Sequence, residues 1–158
     1  MSSDKKKEKN FWQSFHGYKS PSEVPNAVRR LNYKEEDIYD MHLAWIVKRI
    51  QSIEILDLDN TCVTSEGLLE LLKLQELKEL SLKGLSNIGD EAISNLAIIP
   101  SLSFLHLGGT SVTLEGLKGL KESEHLTEVI LSSTTWTDEE IEKLELALPN
   151  VEVFVNRN

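Results

Sequence analysis

Three sets of residues in this chain are of types that do chemistry. The first lies in HLGGTSVTLEGL, residues 106–117, where two adjacent glycines and a threonine join an apolar run to a helix start. A strand that runs into a glycine-rich turn at a helix N-terminus can cradle phosphate on its backbone N–H groups. The phosphate motifs ask for more: a Gly-Lys-Ser/Thr ending, or G-x-G-x-x-G with an acidic residue about 20 positions on. Gly108 and Gly109 are adjacent and no such lysine follows, so the pair reads as a corner of the chain. The second is Cys62, which acts as a nucleophile only with a histidine beside it; His16, His42, His106 and His125 are scattered. The third is Asp57 and Asp59 in "DLD". Two carboxylates at i and i+2 leave one strand face together and would hold a hard cation if further oxygen ligands converged. With His106 they are the residues on which an enzymatic or metal-binding reading would rest.

The elements that position these residues repeat. The stretches IEILDLDNTCVTSEGLLEL, LKELSLKGLSNIGDEAISNL, LSFLHLGGTSVTLEGLKGL and LTEVILSSTTWTDEEIEKL begin at Ile53, Leu77, Leu102 and Leu126, spaced by 24, 25 and 24 residues. Each carries L-x-x-L-x-L, through Leu56 and Leu58, Leu80 and Leu82, Leu105 and Leu107, Val129 and Leu131. Thr61, Leu85, Thr110 and Thr134 come next, then Val63, Ile88, Val112 and Trp136. The alternation suits a strand with one face inward, and Leu68, Leu71 and Leu72, or Leu117 and Leu120, suit a helix face. Neither element buries its apolar side alone; stacked neighbours do it for each other. Thr64, Thr113 and Thr137 mark helix starts, and TDEE at 137–140 fits a capping box. The register also places Ser81 and Lys83 beside Asp57 and Asp59, and a lysine there argues for a salt-bridged surface rather than a metal. Gly109 repeats the place of Asn60, Gly84 and Ser133, a corner whose residue types tolerate φ > 0.

Residues 53–148 resemble the leucine-rich repeat family, whose unit L-x-x-L-x-L-x-x-N/C-x-L gives a strand and then a helix or 3₁₀ turn. Thr or Leu replaces the family's Asn or Cys. The threonine hydroxyls can satisfy the turn backbone as those side chains do; Leu85 cannot. The resemblance implies an α/β leucine-rich-repeat solenoid, a right-handed β-α superhelix with about six parallel strands on the concave face and helices on the convex face. Stepping the register outward adds a first strand at Val28, Leu31 and Tyr33. The longest helix follows it, with Ile38, Met41, Trp45 and Ile46 on adjacent turns. A last strand falls in VEVFVN from Val151. Residues 1–10 read as a disordered basic tail, 11–27 as an N-terminal aromatic cap and 28–158 as the solenoid. Phe11, Trp12, Phe15 and Tyr18 either fold over the first repeat or form a partner-binding arm. The C-terminal edge strand is a candidate for self-association.

In this register the residues between the leucines form three rows across the concave face. They read Arg30, Ile55, Glu79, Phe104, Glu128, Val153; then Asn32, Asp57, Ser81, His106, Ile130, Val155; then Lys34, Asp59, Lys83, Gly108, Ser132, Arg157. Ile55, Phe104 and Ile130 are apolar where a pure scaffold would be polar, which points to a partner site. The expected contact residues are Ile55, Asp57, Asp59, Glu79, Phe104, His106, Glu128 and Ile130. The net charge is −9, and residues 1–10 hold four lysines against two acids, which leaves −11 on the remainder. Such a surface repels phosphate backbones, so no nucleic acid is expected and a basic protein partner is compatible. One cysteine, and no apolar run of the roughly 20 residues needed to cross a bilayer, read as a cytoplasmic protein without a membrane span. The function expected is non-enzymatic protein binding without cofactor or metal. More specific forms are an inhibitor or immunity-type protein that neutralises a basic toxin or enzyme, and an assembly or coupling factor. The latter draws on DNTCVTSEG and LPNVEV, which are distantly similar to the mitochondrial ATP synthase coupling factor B.

Overall fold

The computed structural model describes residues 3–132 and 136–156. It opens with α1 (Ser3–His16), followed by β1 (Ala27–Asn32), α2 (Asp40–Arg49), β2 (Ser52–Asp57), a 3₁₀ segment at Gly67–Lys73 and β3 (Glu76–Ser81). A 3₁₀ turn and α3 (Ile93–Ala97), β4 (Phe104–His106), α4 (Leu114–Leu117) with a 3₁₀ extension, β5 (Glu128–Ser132), α5 (Asp138–Ala147) and β6 (Glu152–Asn156) complete it. The strands form one six-stranded sheet in chain order, every neighbouring pair parallel. Each crossover is helical, as a parallel pair requires. No helix of the described residues is long and apolar enough to cross a membrane.

The repeated leucines explain the layers. Leu31, Leu56, Leu80, Leu105, Val129 and Val153 are aligned across the sheet, and the second, third, fourth and fifth of these are fully buried. Leu43 and Ile46, Leu68 and Leu71, Ile93 and Leu96, Leu117 and Leu120, and Leu144 close the core from the helical side. Burying one such side chain contributes roughly 1.5–3 kcal/mol, so the row of inward residues, more than any local propensity, fixes the strand register.

Two smaller devices join consecutive units. After each of β1 to β4 the chain turns through a left-handed residue in the same place: Glu35 at φ 64°, Asn60 at 55°, Gly84 at 79° and Gly109 at 76°. The threonine that follows donates its hydroxyl to the strand, Thr61 to the Leu58 carbonyl at 2.8 Å and Thr110 to that of Leu107 at 2.7 Å. Leu85 has no hydroxyl to give, and among the described residues the Leu82 carbonyl there accepts only from the Leu85 N–H; the Asn87 side-chain amide instead ties this corner to the preceding unit, donating to the Val63 carbonyl at 2.9 Å. At the helix starts, an aspartate of one unit grips the threonine of the next. Asp40 accepts from the Thr64 N–H at 2.8 Å and hydroxyl at 2.7 Å; Asp90 accepts from the same groups of Thr113 at 2.7 and 2.6 Å. Gly67 and Gly116 follow because any Cβ there would run into the Asp40 or Asp90 carboxylate. Thr113 and Thr137 are N-caps, the latter in a capping box with Glu140; Thr134 lies outside the described residues.

Three expectations are corrected. Residues 3–10 are helical rather than disordered: Glu8 is buried and accepts from Lys48 at 2.9 Å and Arg49 at 3.2 Å, which holds the lysine-rich turn against α2. The longest helix is therefore α1, at 14 residues, and in α2 the buried face is Leu43, Ile46 and Val47 while Met41 is exposed. The last strand is out by one. Glu152, Phe154 and Asn156 stand opposite Glu128, Ile130 and Ser132, because the final spacing is 24 rather than 25 residues. A one-residue slip turns every side chain to the other face, so Val153 and Val155 point inward; Arg157, placed in the third row, lies outside the described residues.

Candidate functional site

The outward rows, with the last strand in its observed register, change character from one side of the sheet to the other. Over β1 to β3 charge is balanced: in the rows Arg30 lies 3.8 Å from Asp57, and at the strand positions before them Arg29 lies 3.8 Å from Glu54 and Lys78 bonds Glu54 at 3.2 Å. Over β4 to β6 the rows become apolar with an acidic margin. His106, Ile130 and Phe154 form one register row, and Phe104 stands two residues before His106 on the same strand face. Phe104, His106 and Ile130 are half-buried and Phe154 is 45% exposed. Beside them runs Glu79, Phe104, Glu128, Glu152 in direct register. Among the described residues, none of these three glutamates has an ion-pair partner. Like charges directly opposite destabilise a strand pair, and Glu128 and Glu152 are such a pair.

His106 is held by its own strand end. The Gly108 N–H donates to its Nδ1 at 3.1 Å, which leaves the proton of the neutral imidazole on Nε2. A Cβ on Gly108 would approach the ring Cε1 to 2.8 Å, so the glycine gives the ring its place. Burial holds the imidazole below its ordinary pKa; Asp59 and Asp57 oppose that and Lys83 reinforces it. A cleft of about 120 Å³ adjoins the ring, lined by Lys83, Gly108, Gly109, Ser132 and Asn156 among others.

The expected contact residues are sorted by this geometry. Phe104, His106, Ile130, Glu79 and Glu128 share one surface. Ile55 is cut off from Phe104 by Glu79. Asp59 is 8% exposed and is used inside the sheet: its Oδ1 accepts from the Ser81 hydroxyl and from the Lys83 N–H. Asp57 accepts from the Asp59 N–H at 3.1 Å. Both aspartates thus brace the ends of β2 and β3, and Asp59 is not on display. Among the described residues no three His, Cys, Asp or Glu side chains gather so as to hold a metal ion.

Two apolar features lie apart from the expected contact residues. Phe154 was masked by the one-residue slip, although spacings of 24, 25 and 24 upstream already favoured a further 24. At the opposite end Phe15, Tyr39 and Met41, each about two-fifths to one-half exposed, border a recess of about 430 Å³ between α1 and α2. Compared with known proteins, the chain matches no family model and no curated protein.

Proposed function

We propose that the chain is a leucine-rich-repeat solenoid, with strands on its concave and helices on its convex face, and that it is a non-enzymatic protein-binding module. Parallel strands in chain order at 24- and 25-residue steps, the recurrent left-handed corner and the threonine hydroxyls behind it support the fold assignment. The observation that carries the binding reading is the adjoining strip Phe104, His106, Ile130 and Phe154 on an outward sheet face. Large apolar side chains on a rigid face anchor a partner at little cost in ordering. The glutamates beside the strip favour a partner with basic residues, which is the chemistry the inhibitor-type reading also requires, and that complex weakens as salt rises.

Phe104→Ala combined with His106→Ala tests the assignment. Partner capture from the source cell is expected to be lost while the thermal melt by circular dichroism moves little, because both side chains are half-buried. Capture undiminished by the double substitution removes the face from consideration.

A further inference from the structure

The two outer strands of the sheet carry opposite charge and matching hydrogen-bond phases. Residues 1–50 hold ten Lys and Arg against seven Asp and Glu, a balance of +3; residues 51–158 hold seven against nineteen, a balance of −12, and together these give the −9 of the chain. On β1, Arg29 and Arg30 are 87% and 56% exposed, and α1, packed on α2 beside that strand, carries Lys5, Lys6, Lys7 and Lys9. On the other side, β6 carries Glu152, and α5 carries Asp138, Glu139, Glu140, Glu142 and Glu145.

In a parallel pair alternate residues turn their amides to alternate neighbours. The Tyr33 N–H bonds the Asp57 carbonyl, so Leu31 and Tyr33 face β2 and the amides of Val28, Arg30 and Asn32 face outward. The Glu152 N–H bonds the Thr127 carbonyl, so Glu152 and Phe154 face β5 while Val153 and Val155 face outward. Within the sheet, pairing of this same phase joins β1 to β2 around the partners Arg30 and Ile55. A β1 laid beside β6 would meet the same arrangement, with Arg30 against Glu152 and Asn32 against Phe154. Val153 and Val155 would then meet the capped end of the next copy, where Leu31 and Tyr33 are already covered by Phe11 and its neighbours. The arginine would enter the row in which Glu128 and Glu152 stand opposite each other without a cation, and the lysines of α1 would approach the acids of α5.

We propose that the occupant of the β6 edge is the β1 edge of a second copy of this chain. The association is head-to-tail and in register, with Arg30 of the next copy beside Glu152. It does not rest on the concave-face reading, although Glu152 and Phe154 border both surfaces. The contact is heterologous, so copies add in a row and no closed dimer limits them.

Sedimentation of the full chain across a concentration series tests it. Weight-average mass is expected to rise past that of a dimer at low ionic strength and to fall back to a single copy at about 0.5 M salt, where surface charges are screened. Arg30→Glu and Glu152→Arg should each abolish the rise. The two together in one chain should restore it, since the exchanged acid of one copy then meets the exchanged base of the next. In a Cys62→Ser background, Asn32→Cys with Phe154→Cys should form intermolecular disulfides on oxidation. A single-copy mass at every concentration and salt overturns the proposal, and means that any strand added at β6 comes from a different protein. Association indifferent to the single reversals, or not regained in the double, overturns the pairing. Phe104→Ala with His106→Ala is expected to leave self-association intact and Arg30→Glu to leave partner capture intact, so either idea can fail alone.

Discussion

At the β1 end of the sheet Trp12 has no exposed surface, Phe11 is buried against Tyr33 and His42, and the inward residues Leu31 and Tyr33 are almost wholly covered. At the β6 end the corresponding inward residues, Val153 and Val155, stay half-buried and Phe154 is exposed. One end is thus sealed by aromatic mass from outside the repeat, and the other presents the repeat itself. A stack of units leaves its last core layer open unless something of different sequence covers it. The N-terminal helix does that here, through Phe11 and Trp12.

Trp12→Ala should break this contrast most forcefully. Removal of a fully buried tryptophan costs about 3–5 kcal/mol, and the loss should appear in urea unfolding as a lower midpoint. Val153→Ala, at the same depth in the opposite end, should cost about 1 kcal/mol or less because solvent already reaches the side chain. Equal losses would mean that the two ends are finished alike.

The aspartate grips refine the comparison. Asp40→Ala removes two hydrogen bonds from a carboxylate in the N-terminal half and should cost about 2 kcal/mol. Asp90→Ala removes the same pair of bonds where water competes, and a smaller loss is expected in the same unfolding measurement. Asp40→Asn, which keeps one acceptor, should fall between wild type and Asp40→Ala.

The N-terminal ion cluster gives a further effect with a pH signature. Burial pushes the Glu8 carboxyl up, but the hydrogen bonds and charges of Lys48 and Arg49 outweigh it and hold the group below the usual carboxylate range. A carboxyl depressed in the folded state contributes stability above its unfolded pKa of about 4.3 and loses it as pH falls through the folded value. Glu8→Gln should therefore be less stable than wild type at pH 7, by about 1 kcal/mol given the half-exposed cations. The two melting curves should converge below about pH 4.

How much of this was legible in the sequence follows the strength of the physical signal. The leucine period specified five strand registers and placed Phe104, His106 and Ile130 on one face, because nearly every inward residue, Val28 apart, is buried and a slip would expose it. The sixth register failed where Val151, Val153 and Val155 alternate with Glu152 and Phe154: on an open strand both faces carry apolar groups, so hydropathy does not choose between them. Asp59 failed for a different cause. Its position in the row was right, but the inward pull of the Ser81 hydroxyl and the Lys83 amide depends on a neighbouring backbone that pattern alone does not reveal. The corner at Asn60, Gly84 and Gly109 was readable because left-handed φ restricts residue type; Glu35 in the same place was not, since its type gives no such sign.

The smallest expected effect is a pH dependence that separates the sealed end from the open face. Burial holds His16, His42 and His106 below the ordinary imidazole pKa. His42 Nδ1 accepts from the Tyr39 N–H at 2.9 Å and His106 Nδ1 accepts from the Gly108 N–H, while His16 Nε2 shares a hydrogen bond with the Tyr33 hydroxyl at 2.7 Å. Burial disfavours the charged imidazole at all three, and at His42 and His106 a proton on Nδ1 also cancels the bond, so the unfolded chain binds protons first. Stability then falls as pH drops below about 6.5, with the lowered folded values setting where the loss ends. The melting temperature of wild type should decline between pH 7 and pH 5. Replacement of His16 and His42 by Gln should flatten that decline more than His106→Gln does, since two of the three groups and all of the surrounding aromatic packing lie at the N-terminal end. An unchanged slope in the His16→Gln, His42→Gln chain would transfer the acid sensitivity to the sheet face, where His106 Nδ1 accepts from the Gly108 N–H.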